Sequence, residues 1–163
     1  MATRAFWTPG GGEQYPASNY PALGIDATTR HRYWAFDAAT DETVHLMGVA
    51  PQGLTGTLTL VVFYRMASAT SGNIYFRAAV EAITPGDALD TDASSSFDTI
   101  NTGNGAVPAT AGYVSSISIT LTNADSIAAG DMFRIELGRD ADNASDTATG
   151  DAQVLRVELR DAA

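Results

Sequence analysis

The sequence lacks cysteine and lysine, and it has no long apolar run. Without cysteine there is no disulfide framework, no thiolate nucleophile and no zinc site with cysteine ligands. All nine basic residues are arginines, and they face nineteen acidic residues, so the net charge is −10. A chain this acidic lacks the positive surface that neutralises phosphates, so we expect no nucleic-acid partner. The longest apolar run, Leu58 to Tyr64, is far shorter than a bilayer span, and we expect no membrane partner.

Charge and aromatic residues are distributed in opposite directions along the chain. Residues 1–79 contain five acidic residues and five arginines, so the whole negative excess lies after residue 79. Aromatic residues are instead concentrated in the first 36 positions. This distribution indicates that the beginning of the chain makes contacts, while the later part supplies a solvated surface.

Residues 1–30 form an irregular segment that contains prolines and a run of three glycines between the aromatic residues. Neither a helical nor a strand period is sustained there, so we predict an extended N-terminal arm. Two interpretations stay open. The arm folds back along its own domain, or it docks on a neighbouring subunit, because large aromatic side chains are the usual interface anchors. The candidate partner-binding residues are Phe6, Trp7, Tyr15 and Tyr20.

Residues 31–163 are predicted to form one β-sandwich domain. Apolar and polar residues alternate in segments separated by turn-forming residues, which is typical of strands with one buried face. Helix is the competing interpretation for residues 74–83. Seven or eight such strands favour an all-β, antiparallel two-sheet sandwich of jelly-roll type. The predicted strands cover residues 31–37, 42–50, 55–66, 74–83, 113–123, 132–139 and 152–160.

Two irregular features are predicted within this domain. The segment from Thr84 to Gly112 is rich in turn-forming residues, so we expect a long connection with at most one short strand near Phe97. A loop of that length is a natural recognition surface. The spacing between Val114 and Ile117 breaks the alternation and predicts a bulge.

The sequence shows no catalytic constellation. Its two histidines, His31 and His45, lie in predicted strands, and no serine has a nucleophile signature around it. Carboxylates are numerous but unmarked, and the glycine run follows no strand and opens no helix. We therefore predict no catalytic residues, no cofactor and no enzymatic activity.

Two further clusters have alternative interpretations. The acidic segment Asp140 to Asp151 has the composition of a calcium loop but not the EF-hand spacing, and a solvated turn in which Arg139 pairs with an aspartate is simpler. We predict no metal site. Tyr33, Trp34 and Phe36 could form a sugar-stacking platform. Strand alternation nevertheless places Tyr33 and Trp34 on opposite faces, so at least one of them belongs to the core.

Two stretches, residues 56–73 (GTLTL to ATSGN) and residues 139–155 (RDADNASDT to GDAQVL), carry a family resemblance. They resemble small β-sandwich virion proteins of tailed bacteriophages, which are capsid-decoration or tail-appendage components. The resemblance covers about residues 31–161 and consists of turns and strands rather than catalytic motifs. It implies a jelly-roll-like fold and a structural role on a virus particle.

The predicted function is that of a capsid decoration protein that stabilises the shell by bridging capsid subunits. Its partners would be the major capsid protein and further copies of this chain, in a homo-oligomer such as a trimer. It would be made in the host cytoplasm and located on the capsid exterior. The alternative is a receptor- or glycan-binding head of a tail fibre, which would use a loop end of the sandwich. An enzyme acting on polysaccharide and a filament subunit are further, less favoured classes.

Overall fold

The computed structural model describes residues 1–11, 13–14 and 18–162, and every regular element in these residues is a strand. Accordingly, none of these residues belongs to a helix that could span a membrane. The described strands are β1 (Ala2–Trp7), β2 (Glu13–Gln14), β3 (Ala22–Ile25), β4 (Arg32–Phe36), β5 (Glu42–Val49), β6 (Leu58–Met66), β7 (Asn73–Ile83), β8 (Asn101–Ala106), β9 (Ser115–Leu121), β10 (Met132–Arg139) and β11 (Ala152–Asp161).

The strands form two antiparallel sheets. Sheet A has the order β3-β4-β11-β6-β9, and β1 also pairs with β11. Sheet B has the order β2-β5-β10-β7-β8. Successive strands from β4 to β7, and again from β9 to β11, alternate between the sheets. The resulting orders β4-β11-β6-β9 and β5-β10-β7-β8 are those of an eight-stranded jelly roll, so the predicted fold class is confirmed.

The core lies between the sheets, where the apolar residues of each alternating strand meet. Trp34, Phe36, Tyr64 and Phe76 are almost fully buried, and both Phe36 and Tyr64 pack edge-to-face on Phe76 with ring centroids 5.9 Å apart. Burial of a large apolar side chain contributes about 1.5–3 kcal/mol, so this cluster is a main source of stability. Trp34 and Phe36 are thus core residues, as alternation required of at least one member of the Tyr33–Trp34 pair.

The first 30 residues differ from the predicted arm. β1 pairs with β11 of the same chain, and β3 pairs with β4. This arrangement corresponds to the interpretation in which the segment folds back along its own domain. The physical reason is that these strands have six and four residues and are separated by proline and glycine. Strands this short do not show a recognisable alternation of apolar and polar residues in the sequence. Backbone hydrogen bonds at a sheet edge form without such alternation.

The later strands confirm one prediction and refine another. Residues 73–83 form strand β7, not the alternative helix. The strand predicted near Phe97 is β8, which begins four residues later at Asn101 and contains two glycines. A Cβ at Gly103 would lie 2.7 Å from the Ser118 carbonyl oxygen, so close approach to β9 favours glycine over the usual strand residues.

The bulge lies in β11 rather than near Val114. β9 starts at Ser115 without a register shift, and Val114 is exposed outside the strand. In β11 the pairing with β6 shifts between Val154 and Arg156. Val154 and Val157 therefore both face the core, whereas strict alternation along residues 152–160 would place Val154 on the same face as Arg156. Downstream of the shift, Arg156, Glu158 and Arg160 share the outward face.

Candidate functional site

The outward side of sheet A presents aromatic rings and arginines side by side. Because successive residues of a strand point to opposite faces, the residues that alternate with the core residues of β4, β6 and β11 point to solvent. β1 adds Phe6 beside Glu158 of β11. We define the arginine–aromatic face as the outward side chains of Phe6, Tyr33, Phe63, Arg65, Arg156 and Arg160.

Tyr33 lies flat across the edge of sheet A. Its register partner on β3 is Gly24, and a Cβ at Gly24 would lie 2.4 Å from two ring carbons of Tyr33. The ring therefore occupies the space that any other residue at position 24 would fill. Gly24 thus positions Tyr33 by its lack of a side chain.

A chain of hydrogen bonds fixes the polar groups next to Tyr33. Arg65 Nε donates to Gln153 Oε1 at 2.7 Å, and Arg65 Nη2 donates to Asp26 Oδ2 at 3.2 Å. The guanidinium carbon of Arg65 lies 5.4 Å from the centroid of the Tyr33 ring. These contacts hold the Arg65 guanidinium in one orientation between a ring and a carboxylate.

Asp26 is ionised throughout the physiological pH range. Its carboxylate accepts backbone hydrogen bonds from Thr29 at 2.7 Å and Thr28 at 2.9 Å. Those backbone donors, together with Arg65, lower the pKa of Asp26 to about 2. Asp26 therefore acts as a fixed negative charge and hydrogen-bond acceptor at the rim of the face.

A pocket of about 480 Å³ lies beside these groups. Tyr33, Arg65, Gln153 and Asp26 line it, and residues Ala111 and Gly112 close another side. One aromatic ring with a few converging polar groups is the usual lining of a small-molecule or sugar site. Tyr113, which follows Gly112, is 66% exposed and extends the aromatic surface near the pocket.

A second polar cluster lies further along β11. Glu158 accepts hydrogen bonds from Arg160 Nε at 2.9 Å and Thr3 Oγ1 at 3.0 Å, and Arg156 Nε lies 2.8 Å from its other oxygen. Burial raises the pKa of Glu158, but these hydrogen bonds and the two positive charges outweigh it and leave the pKa below its usual value. One carboxylate is thus shared by two guanidinium groups.

Each guanidinium of this face lies over an aromatic ring. Arg156 lies 4.4 Å from the Phe6 centroid, and Arg160 lies 5.6 Å from the Phe63 centroid. Such cation–π contacts contribute about 0.5–1 kcal/mol at exposed sites. They orient the planar groups more than they stabilise the fold.

The predicted partner-binding residues are not brought together. Phe6 is 58% exposed and belongs to the arginine–aromatic face. Trp7 is buried, donates from its indole nitrogen to the Met47 carbonyl oxygen at 2.8 Å and packs edge-to-face on Phe133. Tyr20 is partly exposed ahead of β3, and Tyr15 lies outside the described residues. Among the described members of this set, Phe6 takes part in the site.

A larger pocket of about 680 Å³ lies at the opposite end of the sandwich, near Leu58 and Leu121. The predicted recognition segment contributes Asp98 to it. Both Asp98 oxygens are already occupied, because Oδ1 accepts from the Thr99 amide and Oδ2 from the Asp125 amide. The lining contains no aromatic ring. This pocket therefore offers fewer free recognition groups than the pocket beside Tyr33.

The histidines have structural surroundings. His31 is exposed, and its Nδ1 lies 3.1 Å from Thr29 Oγ1. His45 is buried on the outward side of sheet B, with Nε2 3.3 Å from Glu136 Oε2 and its ring against Phe97. The His31 contact is with a hydroxyl of its own turn, and the His45 contact is with a carboxylate of the neighbouring strand.

The aspartates of the acidic segment Asp140 to Asp151 make two separate sets of contacts. Asp146 pairs with buried Arg139 through two hydrogen bonds of 2.8 and 2.9 Å, as the sequence predicted for an aspartate of this segment. Asp140 and Asp142 instead approach Asp41, with ligand oxygens within 4.8 Å of one another. These three carboxylates could hold a cation. Their mutual repulsion and the hydrogen bond between Asp140 and Asp142 raise the pKa of Asp142.

Sequence reasoning missed Arg65, Gln153 and Asp26 as site residues. Arg65 lies 39 positions from Asp26 and 88 positions from Gln153 in the chain, and only the strand register brings the three together. Alternation did place Arg156, Glu158 and Arg160 on one face of the last strand. The further signal available was that Arg65 follows Phe63 at the next outward position of one predicted strand.

No family model matches this chain, and no curated protein matches it. Among solved structures it is similar to a carbohydrate-binding module specific for non-crystalline cellulose, with 12% identity, a TM-score of 0.42 and coverage of 91% of this chain and 83% of that one. It is also similar to a structure described under promiscuous specificity of carbohydrate-binding modules of the β-sandwich superfamily, with 11% identity, a TM-score of 0.36 and coverage of 96% and 55%. At such low identities and TM-scores, neither comparison assigns a ligand to this chain. Neither structure is described as a virion protein.

Proposed function

We propose that this chain is a non-catalytic glycan-binding domain whose ligand lies on the arginine–aromatic face beside Tyr33. The observation that carries the proposal is the pocket of about 480 Å³ in which the Tyr33 ring adjoins the hydrogen-bonded array of Arg65, Gln153 and Asp26. Sugars present hydroxyl groups that need fixed donors and acceptors, and apolar C–H faces that pack on rings. The Tyr33 ring supplies the apolar surface, and the array of Arg65, Gln153 and Asp26 supplies the donors and acceptors beside it.

The carboxylates of this face are suited to binding rather than to catalysis. A general acid must hold a proton near neutral pH, which requires a raised pKa. The pKa of Asp26 is instead lowered to about 2, and the pKa of Glu158 is also below its usual value. Both groups therefore stay ionised and accept hydrogen bonds, so the face supports recognition without hydrolysis.

The proposal is tested by replacing Tyr33. Affinity electrophoresis of the purified chain against a panel of soluble polysaccharides identifies a retarding polymer, and calorimetry then measures its affinity. Tyr33→Ala is expected to weaken binding by at least about tenfold, since a stacked ring contributes on the order of 1–2 kcal/mol. The matched control is Tyr75→Ala on the outward side of sheet B, which should bind like the parent chain.

A second variant tests the geometry without removing the ring. Gly24→Ala places a methyl group where the Tyr33 ring lies, so the ring must move off the sheet. Position 24 is an ordinary strand position, and we expect the variant to fold. Reduced glycan affinity with an unchanged circular dichroism spectrum supports the site. Full affinity in both Tyr33→Ala and Gly24→Ala would reject it.

Capsid decoration is a second proposal, favoured by a different observation. Three large apolar residues, Met47, Val49 and Met132, are exposed together on the outward side of sheet B, as paired strand neighbours. Contiguous exposed apolar residues favour protein contacts. Val49→Asp should then abolish co-sedimentation with viral shells while leaving glycan binding intact. Co-sedimentation of that variant at the parental level would reject this use of the surface.

A further inference from the structure

We infer that the glycan bound at the arginine–aromatic face is an anionic polysaccharide, whose carboxylate or sulfate groups are received by Arg156 and Arg160. This inference rests on the proposed function and specifies its ligand class. Glu158 is the one carboxylate that both guanidinium groups share. The cluster therefore retains a positive charge that an acidic sugar would neutralise.

The charge distribution of the chain supports this ligand class. Sheet A and its β3–β4 turn carry six of the nine arginines but three of the nineteen acidic residues. Those acidic residues are Asp26, Glu158 and Asp161, and each has an arginine partner. A protein with a net charge of −10 thus concentrates its positive charge around one sheet.

The negative charge elsewhere does not cancel this local field. Stacked sheets lie about 10 Å apart, and the Debye length at physiological ionic strength is about 8 Å. The carboxylates on the outward side of sheet B, such as Glu136, are therefore more than one screening length from Arg156. A polyanion that lies along sheet A interacts mainly with the arginines there.

The ring contact of Arg156 favours anion recognition at this end of the face. The Arg156 guanidinium lies 4.4 Å from the Phe6 centroid and its side chain is 43% exposed. A guanidinium held against a ring has lost part of its rotational freedom, and its planar fork matches a carboxylate or a sulfate.

The test compares one polymer in charged and neutral forms. Calorimetry with polygalacturonate and with its methyl ester measures the contribution of the carboxylates on the same sugar backbone. We expect the charged form to bind at least about tenfold more tightly, because hydrogen bonds to charged groups contribute about 1.5–3 kcal/mol. Raised salt should narrow the difference, since the partners are exposed.

Two variants and a control assign the effect to residues. Arg156→Gln should remove most of the preference for the charged polymer, whereas Arg77→Gln on sheet B should leave it unchanged. Glu158→Gln should increase affinity for polygalacturonate because it leaves two guanidinium charges uncompensated. A gain in affinity cannot arise from misfolding.

The outcomes separate the inference from the proposed function. Equal binding of both polymers, with loss in Tyr33→Ala, would overturn the anionic class and leave glycan binding in place. Equal retention of a single-stranded oligothymidylate and of polygalacturonate would show a general polyanion surface and overturn the assignment to glycans. Binding to neither polymer, but to a neutral glycan from the panel, would also overturn the anionic class.

Discussion

The two outward faces of this sandwich use the same residue types for different purposes. On sheet A, partly exposed arginines and aromatic rings lie side by side near a pocket. On sheet B, the segment 84–100 folds over the strands, and Phe97 packs against His45 and lies 5.0 Å from the Arg134 guanidinium. On sheet B, an arginine–aromatic contact therefore holds a loop against the strands. On sheet A, the same kind of contact holds a charged guanidinium at the surface.

A buried carboxylate, that of Glu81, holds the segment 84–100 against sheet B. Glu81 accepts from Arg134 Nε at 2.6 Å and from the Ser96 amide at 2.7 Å. Burial raises the pKa of Glu81, but these partners outweigh it and leave the pKa below its usual value. Glu81 is thus fully committed within the fold, whereas Glu158 on sheet A is shared between two arginines that are partly exposed.

The largest expected effect comes from breaking the buried pair at the end of sheet B. Arg139 is completely buried, and besides Asp146 it donates to the carbonyl oxygens of Ala148 and Gly150. Asp146→Asn leaves an uncompensated buried charge and should lower the free energy of unfolding by about 3–5 kcal/mol. Urea denaturation measures the change.

The matched carboxylate-to-amide change on sheet A is Glu158→Gln. Its arginine partners remain accessible to water, so we expect a loss of about 1 kcal/mol or less. Similar losses in Asp146→Asn and Glu158→Gln would contradict the distinction between an ion pair buried inside the fold and one that remains accessible on sheet A.

A matched pair of phenylalanine truncations gives the next largest effect. Phe97→Ala removes the ring that covers sheet B and should cost about 1–3 kcal/mol, because Phe97 is half-buried. Phe6→Ala on sheet A removes an exposed ring and should change stability by only about 0.5 kcal/mol. Glycan affinity should respond in the opposite order, falling in Phe6→Ala and staying unchanged in Phe97→Ala. Calorimetry and denaturation on the same samples separate the two effects.

Much of this fold could be predicted from alternation and turns. The bounds predicted for residues 132–139 coincide with β10, and those for residues 152–160 differ from β11 by one residue. Buried residues alternate with partly exposed residues along much of these strands, so the two-residue period of a strand is visible in the sequence. β8 was placed imprecisely because its glycines are required by contact with β9, and contact across a sandwich leaves no local periodic signal.

The candidate site was less accessible to prediction for a related physical reason. Tyr33 could be assigned to either face of β4, and only the burial of Trp34 and Phe36 decides that its ring is outward. The pairing of Arg65 with Gln153 depends on the register between β6 and β11, which includes a bulge. The sequence contains no local feature that fixes where this bulge falls, so the cluster becomes apparent only from the assembled sheets.

The smallest expected effects are shifts in acid stability that have opposite signs for Asp26 beside sheet A and for Asp142 in the loop between β10 and β11. The pKa of Asp26 is below its ordinary value of 3.8, so its ionised form stabilises the fold above that value, and this contribution is lost as the pH falls toward about 2. The pKa of Asp142 is raised, so its contribution is favourable at acid pH and is lost as the pH rises through its folded pKa.

Replacing each carboxylate by an amide therefore tests the sign of its contribution to stability. At pH 7, Asp26→Asn should lower the melting temperature, and the gap to the parent chain should narrow as the pH falls below about 3.8. Asp142→Asn should raise the melting temperature at pH 7, because it relieves repulsion from Asp41 and Asp140, and its advantage should shrink at acid pH. Thermal melts of the parent and both variants at pH 7, 5 and 3 measure the two trends. Asp26 contacts backbone amides and Asp142 contacts other carboxylates, so the two variants should change the melting temperature in opposite directions at pH 7. A change in the same direction in both variants would contradict this difference in environment.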